Sequence, residues 1–524
     1  MNLSVQTCCH PQLVQEAVPV HVPQVALSVR CHDTATRARR LLSCRFLPVQ
    51  EALSGKSKRS DFLRHAAIRA TETAVEDTTG ASPLASNGKE DWSSETGVIV
   101  VGAGLAGLAA ARHLTAAGEP FLLVEASDGV GGRVRTDEFE GFLLDRGFQI
   151  FITAYPEAQR ILDYDGLKLR SFYAGALVWF NGGFHKVADP LRHLTDGLLS
   201  LVNPIGNVFD KTLVGLVRLQ AAIRADTEIL TSTETTIMQR LSSTGFSPPM
   251  VDRFFRPFFG GIFFDNQLQT TSRLFDFVFK CLALGSNTLP ERGIGAIPLQ
   301  IAEKLPQSSI LLESRVVELM FDNDRHPVGV KLEDGRLLKC NHGIILAVEG
   351  PEASRLLGNQ LQVTRAISRP PRSTVCLYFS TDKSPIKEPI LLLNGSGKGV
   401  VNNMFFPTTV SKSYSPPGQV LVSVSLVGLY EEKTDEELEE VVRAELADWF
   451  SKEIVATWKH LRTYRIKLAQ PDQTPPTDLL KEPRVSAGIY VCGDHRDSST
   501  FDGAFVSGRR AADAILRDVK AASV

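Results

Sequence analysis

Residues 97–101 form a continuous run, Gly-Val-Ile-Val-Val, rich in β-branched side chains, the pattern of a strand buried on both faces. An alanine-rich helix is expected next over 105–117, stopped by Gly118, and the apolar run 121–125 supplies a second strand. Strand, glycine turn, helix and strand make a βαβ unit with a right-handed crossover, so the fold class predicted is α/β with a Rossmann-type sheet. From 151 to 300 the pattern turns mainly helical, with amphipathic stretches at 191–201 and 211–225 broken by Asn203-Pro204 and Pro248-Pro249. Strand-like runs follow at 310–321, 328–333 and 337–348. Residues 375–379 and 419–427 alternate in the same way, and Thr434 with Glu437 forms a capping box ahead of a helix carrying Leu438, Val442, Leu446 and Trp449 on one face. A short strand at 489–492 and a helix over 505–519 close the chain. The first domain is therefore expected in three pieces, 97–150, 301–350 and 481–524. Between them lie the two parts of an α+β substrate or cap domain, 151–300 and 351–480.

The first 70 residues depart from this pattern. They hold ten Lys and Arg against four Asp and Glu, with hydroxyl residues and no compact apolar segment, which is the composition of an organellar transit peptide; a plastid is favoured over a mitochondrion. Residues 71–96 are polar and unpatterned, as in a disordered linker. No apolar run approaches the roughly 20 residues needed to cross a bilayer, so the protein is expected to be soluble or peripheral at a membrane. A net charge of −2 gives no reason to expect nucleic acid as a partner. Cys281, Cys340, Cys376 and Cys492 are too scattered for a disulfide framework or a zinc site, and no metal is expected.

The chemistry begins at Gly102-Ala103-Gly104-Leu105-Ala106-Gly107, a G-x-G-x-x-G between predicted strand and helix, with Glu125 23 positions beyond Gly102 and Ala126 next to it. In such a turn the first glycine permits the bend, the second lets a pyrophosphate reach the helix N-terminus, and the third packs helix on strand. Glu125 is placed to hold the adenosine ribose. FAD and NAD share this fingerprint, and further segments distinguish them.

Gly131-Gly132-Arg133 and Thr136 come just after Glu125, followed by Asp145-Arg146-Gly147-Phe148-Gln149. Near the end stand Val491-Cys492-Gly493-Asp494 and Asp502-Gly503-Ala504-Phe505. In this order, over about 96–517, the segments resemble the FAD-dependent amine oxidase and carotenoid (phytoene) desaturase superfamily, and the leader suggests a plant or algal organellar member. The resemblance implies that Gly131, Gly132 and Arg133 meet the FAD pyrophosphate and ribose. It also implies that Gly147, Phe148 and Gln149 pass near the isoalloxazine, that Asp494 binds the ribityl chain, and that Gly503 and Ala504 face the pyrimidine edge. Val316, in Ser314-Arg315-Val316, resembles the strand position that pairs with the adenine, and 289–298 resembles a glycine-bearing segment near the flavin.

Two departures turn the reading away from amines. The segment 372–379, which most resembles the strand carrying a lysine in amine-oxidising members, has none, and the loop after Asp494 lacks their aromatic residue. Ten of the 28 phenylalanines fall between Phe246 and Phe279, a concentration that suits an extended apolar substrate or fills the cap core. The expectation is an FAD-dependent oxidoreductase removing hydride from a small hydrophobic, isoprenoid or carotenoid-like substrate. A non-redox flavin-bearing protein and a flavin-dependent isomerase stand as alternatives; the electron acceptor, catalytic residues and oligomeric state are left open.

Overall fold

Val98, Ile99 and Val100 are fully buried because β1 (Ser94–Val101) lies inside a sheet, between β2 (Phe121–Val124) on one side and Leu337–Leu346 on the other, both parallel to it. The computed structural model describes residues 92–189, 192–358 and 369–523. The expected leader lies outside the described residues, as does the expected linker up to residue 91. Its last residues, Ser94, Glu95 and Thr96, instead begin β1, three residues earlier than the hydrophobic run indicates. Pairing with Leu338, Lys339 and Cys340 extends the strand there, and Glu95 meets Lys339 at 3.3 Å.

The sheet has eight strands, drawn from distant parts of the chain. Leu337–Leu346 is its organising strand. β1 runs along one side of it, while the other side pairs first with Pro327–Leu332, antiparallel, and then with Ile489–Val491, parallel. The run expected as one strand over 310–321 is two: Ile310–Leu311 pairs with β2, and Val316–Phe321 pairs with Pro327–Leu332. Glu313, at φ +49°, makes the break. This is the mixed α/β, Rossmann-type architecture expected.

The helix α1 (Leu105–Ala117) ends at Gly118 in the left-handed conformation, as its sequence indicates. It packs against the closing helix Phe501–Ala522 through small residues. A Cβ on Gly508 would lie 2.1 Å from the Ala106 carbonyl oxygen, so only glycine permits this approach.

A second sheet of seven strands runs in the order Lys459–Gln470, Arg372–Thr381, Val420–Val427, Val401–Phe405, Leu391–Asn394, Gly175–Phe180, Gly183–Ala188. Its strand Arg372–Thr381, next to the edge, alternates as a two-faced sheet demands. Val375, Leu377 and Phe379 pack with Leu438, Val442, Leu446 and Trp449 of the helix Asp435–Phe450, whose Thr434–Glu437 capping box is formed. Cys376 and Tyr378 face the other way, onto Phe142, Leu144, Phe148 and Tyr414. The stretch 151–300 is mainly helical, as its pattern indicates, and the hairpin Gly175–Ala188 is the strand pair that the pattern does not show. Its turn, Asn181 at φ +51° and Gly182 at φ +76°, is the pair of left-handed residues that a two-residue hairpin requires.

Candidate functional site

Between the two sheets lies a cavity of about 580 Å³, inside the range of ligand sites. The N-termini of two helices open on it: Gly104 and Leu105 at the start of α1, and Thr500, Phe501 and Ala504 at the start of the closing helix. Thr500 caps that helix by accepting from the Gly503 N–H at 3.0 Å. Two dipole-positive ends with first-turn N–H groups that have no intrahelical acceptor make the wall suited to anionic and carbonyl groups.

The glycine loop explains itself residue by residue. Gly102 has φ +101°, and a Cβ there would sit 2.8 Å from the Ala347 carbonyl oxygen. On Gly107 a Cβ would overlap the Gly102 carbonyl oxygen at 1.9 Å. Gly104 is different: its φ of −71° suits any residue, and no protein atom lies within 4 Å of the Cβ it lacks. Protein packing does not require glycine at 104. The space its missing side chain leaves opens on the cavity, where a pyrophosphate would approach the helix.

Opposite this loop, Gly131 donates to the Ala103 carbonyl at 2.8 Å and holds the Gly131-Gly132-Arg133 turn against it. Arg133 pairs with Asp494 at 2.8 Å and donates to the Ala469 carbonyl at the same distance. Burial pushes the Asp494 carboxyl up, but the charge and hydrogen bond of Arg133 prevail and hold it below the usual carboxylate range. Glu125 anchors the end of β2 by accepting from the Ala103 N–H at 2.7 Å and from the Ser127 N–H and hydroxyl. Gln149 donates to the carbonyls of Arg133 and Arg146, which fixes the Gly147–Gln149 segment along the cavity.

Of the residues singled out from sequence, Gly102, Gly104, Leu105, Ala106, Glu125, Gly131, Gly132, Arg133, Gly147, Phe148, Gln149, Gly493, Asp494 and Ala504 line the cavity. Ala103, Gly107, Ala126, Thr136, Val316 and Gly503 do not. Ala103 and Gly503 act through the backbone bonds already described. Thr136 turns its hydroxyl to Asp145 at 2.6 Å and accepts from the Gly295 N–H, so it staples the 289–298 segment in place behind the wall. Asp145, raised to about 6 by burial despite bonds from Thr136, Ile294 and Tyr414, is the centre of that staple. Val316 is buried in its strand, while its neighbour Arg315 reaches the cavity.

Sequence reasoning missed Arg315, Glu349 and Glu352 at the nucleotide end. Burial, and the charges of Asp494 and Glu352 beyond it, raise Glu349 against the pull of Arg133. His495, next to Asp494, is lowered to about 4 by burial, is neutral at pH 7, and does not line the cavity. The opposite end is lined by Phe258, Ile262, Phe264, Leu282, Leu391 and Ile466, with Thr374, Asn287, Asn403 and Gln470 as neutral polar groups. Of the phenylalanine cluster only Phe258 and Phe264 reach the cavity; Phe255, Phe259, Phe263 and Phe275 stack within the core.

These residues fit FAD: a cradle at Gly104 that a side chain would fill, a guanidinium for phosphate, carboxylates for hydroxyl groups, and a second helix N-terminus for the flavin's carbonyl edge.

Comparison with known proteins agrees. The family model described as flavin containing amine oxidoreductase matches residues 105–516. An L-amino-acid oxidase of Bungarus fasciatus is 45% identical over 96 residues, a match spanning 17% of this chain and 18% of that one. The 15-cis-phytoene desaturase, chloroplastic/chromoplastic, of an Oncidium hybrid cultivar is 22% identical over 465 residues, covering 80% of this chain and 78% of its own. An oxidoreductase structure from Methanosarcina mazei superposes with a TM-score of 0.60 at 16% identity, over 80% of this chain and 99% of that one. The chain belongs to the flavin containing amine oxidoreductase family and is an FAD-dependent oxidoreductase.

Proposed function

We propose that the protein removes hydride from a hydrophobic, uncharged substrate of isoprenoid or carotenoid-like character, inside a plastid. The observation that carries this is the apolar end of the cavity, where, among the described residues, Tyr155 is the only titratable side chain that the helical layer and second sheet contribute. A protonated amine placed there would be desolvated without a counter-charge, at a cost of several kcal/mol, and Arg146, the cation beside Gly147 in the lining, is already engaged by Asp137 at 2.8 Å. An unbranched or isoprenoid chain would bury its surface against Phe258, Leu282 and Ile466 instead. Among the described residues no lysine lines the cavity, in line with the departure already noted at 372–379.

Bound FAD supplies the hydride acceptor. The chain supplies position and dryness. Thr374, Asn403 and Gln470 offer neutral hydrogen bonds to orient a substrate, and Tyr155, buried and far too weak an acid to ionise, closes one wall with Phe501. The basic leader and the similarity to a desaturase named as chloroplastic/chromoplastic both support the plastid.

The test is anaerobic titration of the purified holoprotein, followed by flavin absorbance. Bleaching by a plastid lipid extract, with none by L-amino acids or by primary amines, is the expected result. Bleaching by amines or amino acids alone would overturn the substrate class.

A further inference from the structure

Among the described residues few buried side-chain polar atoms lack a hydrogen-bond partner, and two of them, Asn403 Oδ1 and Asn287 Oδ1, belong to residues that line the cavity. Asn403 is 1% exposed, in the middle of the strand Val401–Phe405. It shares a sheet face with Leu393 and Ser425, its partners on the two flanking strands. Ser425 does not satisfy it, since that hydroxyl is unpartnered too. Asn287 is paired with Ile152, and both line the cavity.

Asparagine is a poor residue for a buried strand, yet the fold holds this one in place. Asn403 Nδ2 donates to Asn402 Oδ1 at 2.8 Å, and Asn402 Nδ2 donates to Asn266 Oδ1 at 3.2 Å. The strand register shifts between Val401 and Asn403, which lets the adjacent side chains meet. Asn266 is exposed, so three amides run from the surface to the cavity with their donors turned outward, and the innermost acceptor is left over. The helix Arg256–Phe263 makes room for them with two interior glycines, a residue otherwise unfavourable there. A Cβ on Gly261 would stand 2.6 Å from both Asn402 Oδ1 and Asn403 Nδ2, and one on Gly260 2.9 Å from Asn266 Oδ1.

Two other neutral polar residues at this end direct donors into the protein: Thr374 to the Leu426 carbonyl at 2.7 Å and Gln470 to the Ile262 carbonyl at 2.8 Å. A ligand that fills the cavity here excludes water from Asn403 and must itself supply the hydrogen bond. A hydrocarbon supplies none, and an ether or carbonyl oxygen brings only another acceptor. A hydroxyl donates without bringing a charge. We infer that Asn403, with Asn287, is a specificity-determining acceptor for a hydroxyl group, so that the substrate is a lipophilic alcohol or phenol and not a pure hydrocarbon. This rests on the lipophilic reading of the cavity proposed above and narrows it. The hydroxyl is anchored on the second sheet, and Phe258, Leu282 and Ile466 take the apolar remainder.

The test titrates geraniol, farnesol and geranylgeraniol, each beside its methyl ether, into the oxidised full-length holoprotein, with binding read from the flavin absorption spectrum. The alcohols are expected to bind more than about tenfold tighter than their ethers, and Asn403→Leu, which removes the acceptor, to abolish that preference while keeping its flavin. Asn403→Ala supplies the same comparison if leucine impairs folding. Equal binding of alcohols and ethers by the wild type would overturn the inference and leave the lipophilic reading standing. A preference that survives in the variants would overturn the assignment to Asn403. Loss of flavin from a folded variant would do so too, since the acceptor would then serve the cofactor. A wild type that binds neither series would overturn the lipophilic reading and the inference together.

Discussion

Arg133 and Asp494, from opposite ends of the described chain, meet at 2.8 Å across the mouth of the nucleotide site. Asp494 is held ionised by this partner against the effect of burial. Asp494→Asn keeps an acceptor but removes the charge, so the FAD dissociation constant should rise about tenfold, read by flavin fluorescence on titration of apoprotein. Unchanged affinity would place Asp494 outside the cofactor site.

Gly104 and Gly107 are separable by experiment because their surroundings differ. Gly104→Val adds a side chain where no protein atom stands, so the protein should fold but purify with little flavin. Gly107→Ala drives a Cβ into the Gly102 carbonyl oxygen, so soluble yield should fall together with flavin. Normal flavin content in folded Gly104→Val would contradict the loop's role.

Asp502 couples stability to pH. It is buried and raised to about 7, although it accepts from the Glu157 and Ala158 N–H groups. The folded state therefore holds a proton that the unfolded chain releases near pH 4, and stability from this group falls as pH rises from about 4 through about 7. Asp502→Asn should be nearly neutral at pH 5 and relatively stabilising, by about 1–2 kcal/mol, at pH 8. Denaturant melts of both proteins at the two pH values check this. The opposing contribution of His495, lowered to about 4 and growing as pH rises from about 4 to about 6.5, is common to both and cancels.

Ile466 lines the apolar end of the cavity on the strand Lys459–Gln470. Ile466→Glu should leave FAD content intact and cut kcat/KM for a lipophilic substrate more than about tenfold, because the carboxylate has no partner there. Loss of flavin instead would move this position to the cofactor end.

The parts of the fold legible in sequence are local. β1, α1 and β2 are consecutive, their periodicity is unbroken, and each turn residue has one physical job. The Thr434–Glu437 capping box was equally plain, since both partners lie three residues apart. What the sequence hid depends on distant pairing. The strand Lys459–Gln470 carries four Lys and Arg and looks solvated, yet Arg462 and Arg465 are paired with Asp137 and Asp435. The hairpin Gly175–Ala188 was obscured by its helical neighbours, although Asn181-Gly182 marked its turn. Glu349 and Arg315 reach the site only because their elements converge there, and no local motif announces them. Thr136 sits in the right turn but faces Asp145, a choice that depends on the chain more than 150 residues later at Ile294 and Gly295.

The central claim is that this cavity holds FAD at the Gly104 cradle. The most direct measurement is the absorption spectrum of the purified full-length protein, with the flavin released by denaturation, identified and quantified per chain. Close to one FAD per folded chain in the wild type, with almost none in folded Gly104→Val, is the predicted result. Folded wild-type protein that neither contains flavin nor takes up added FAD would contradict it.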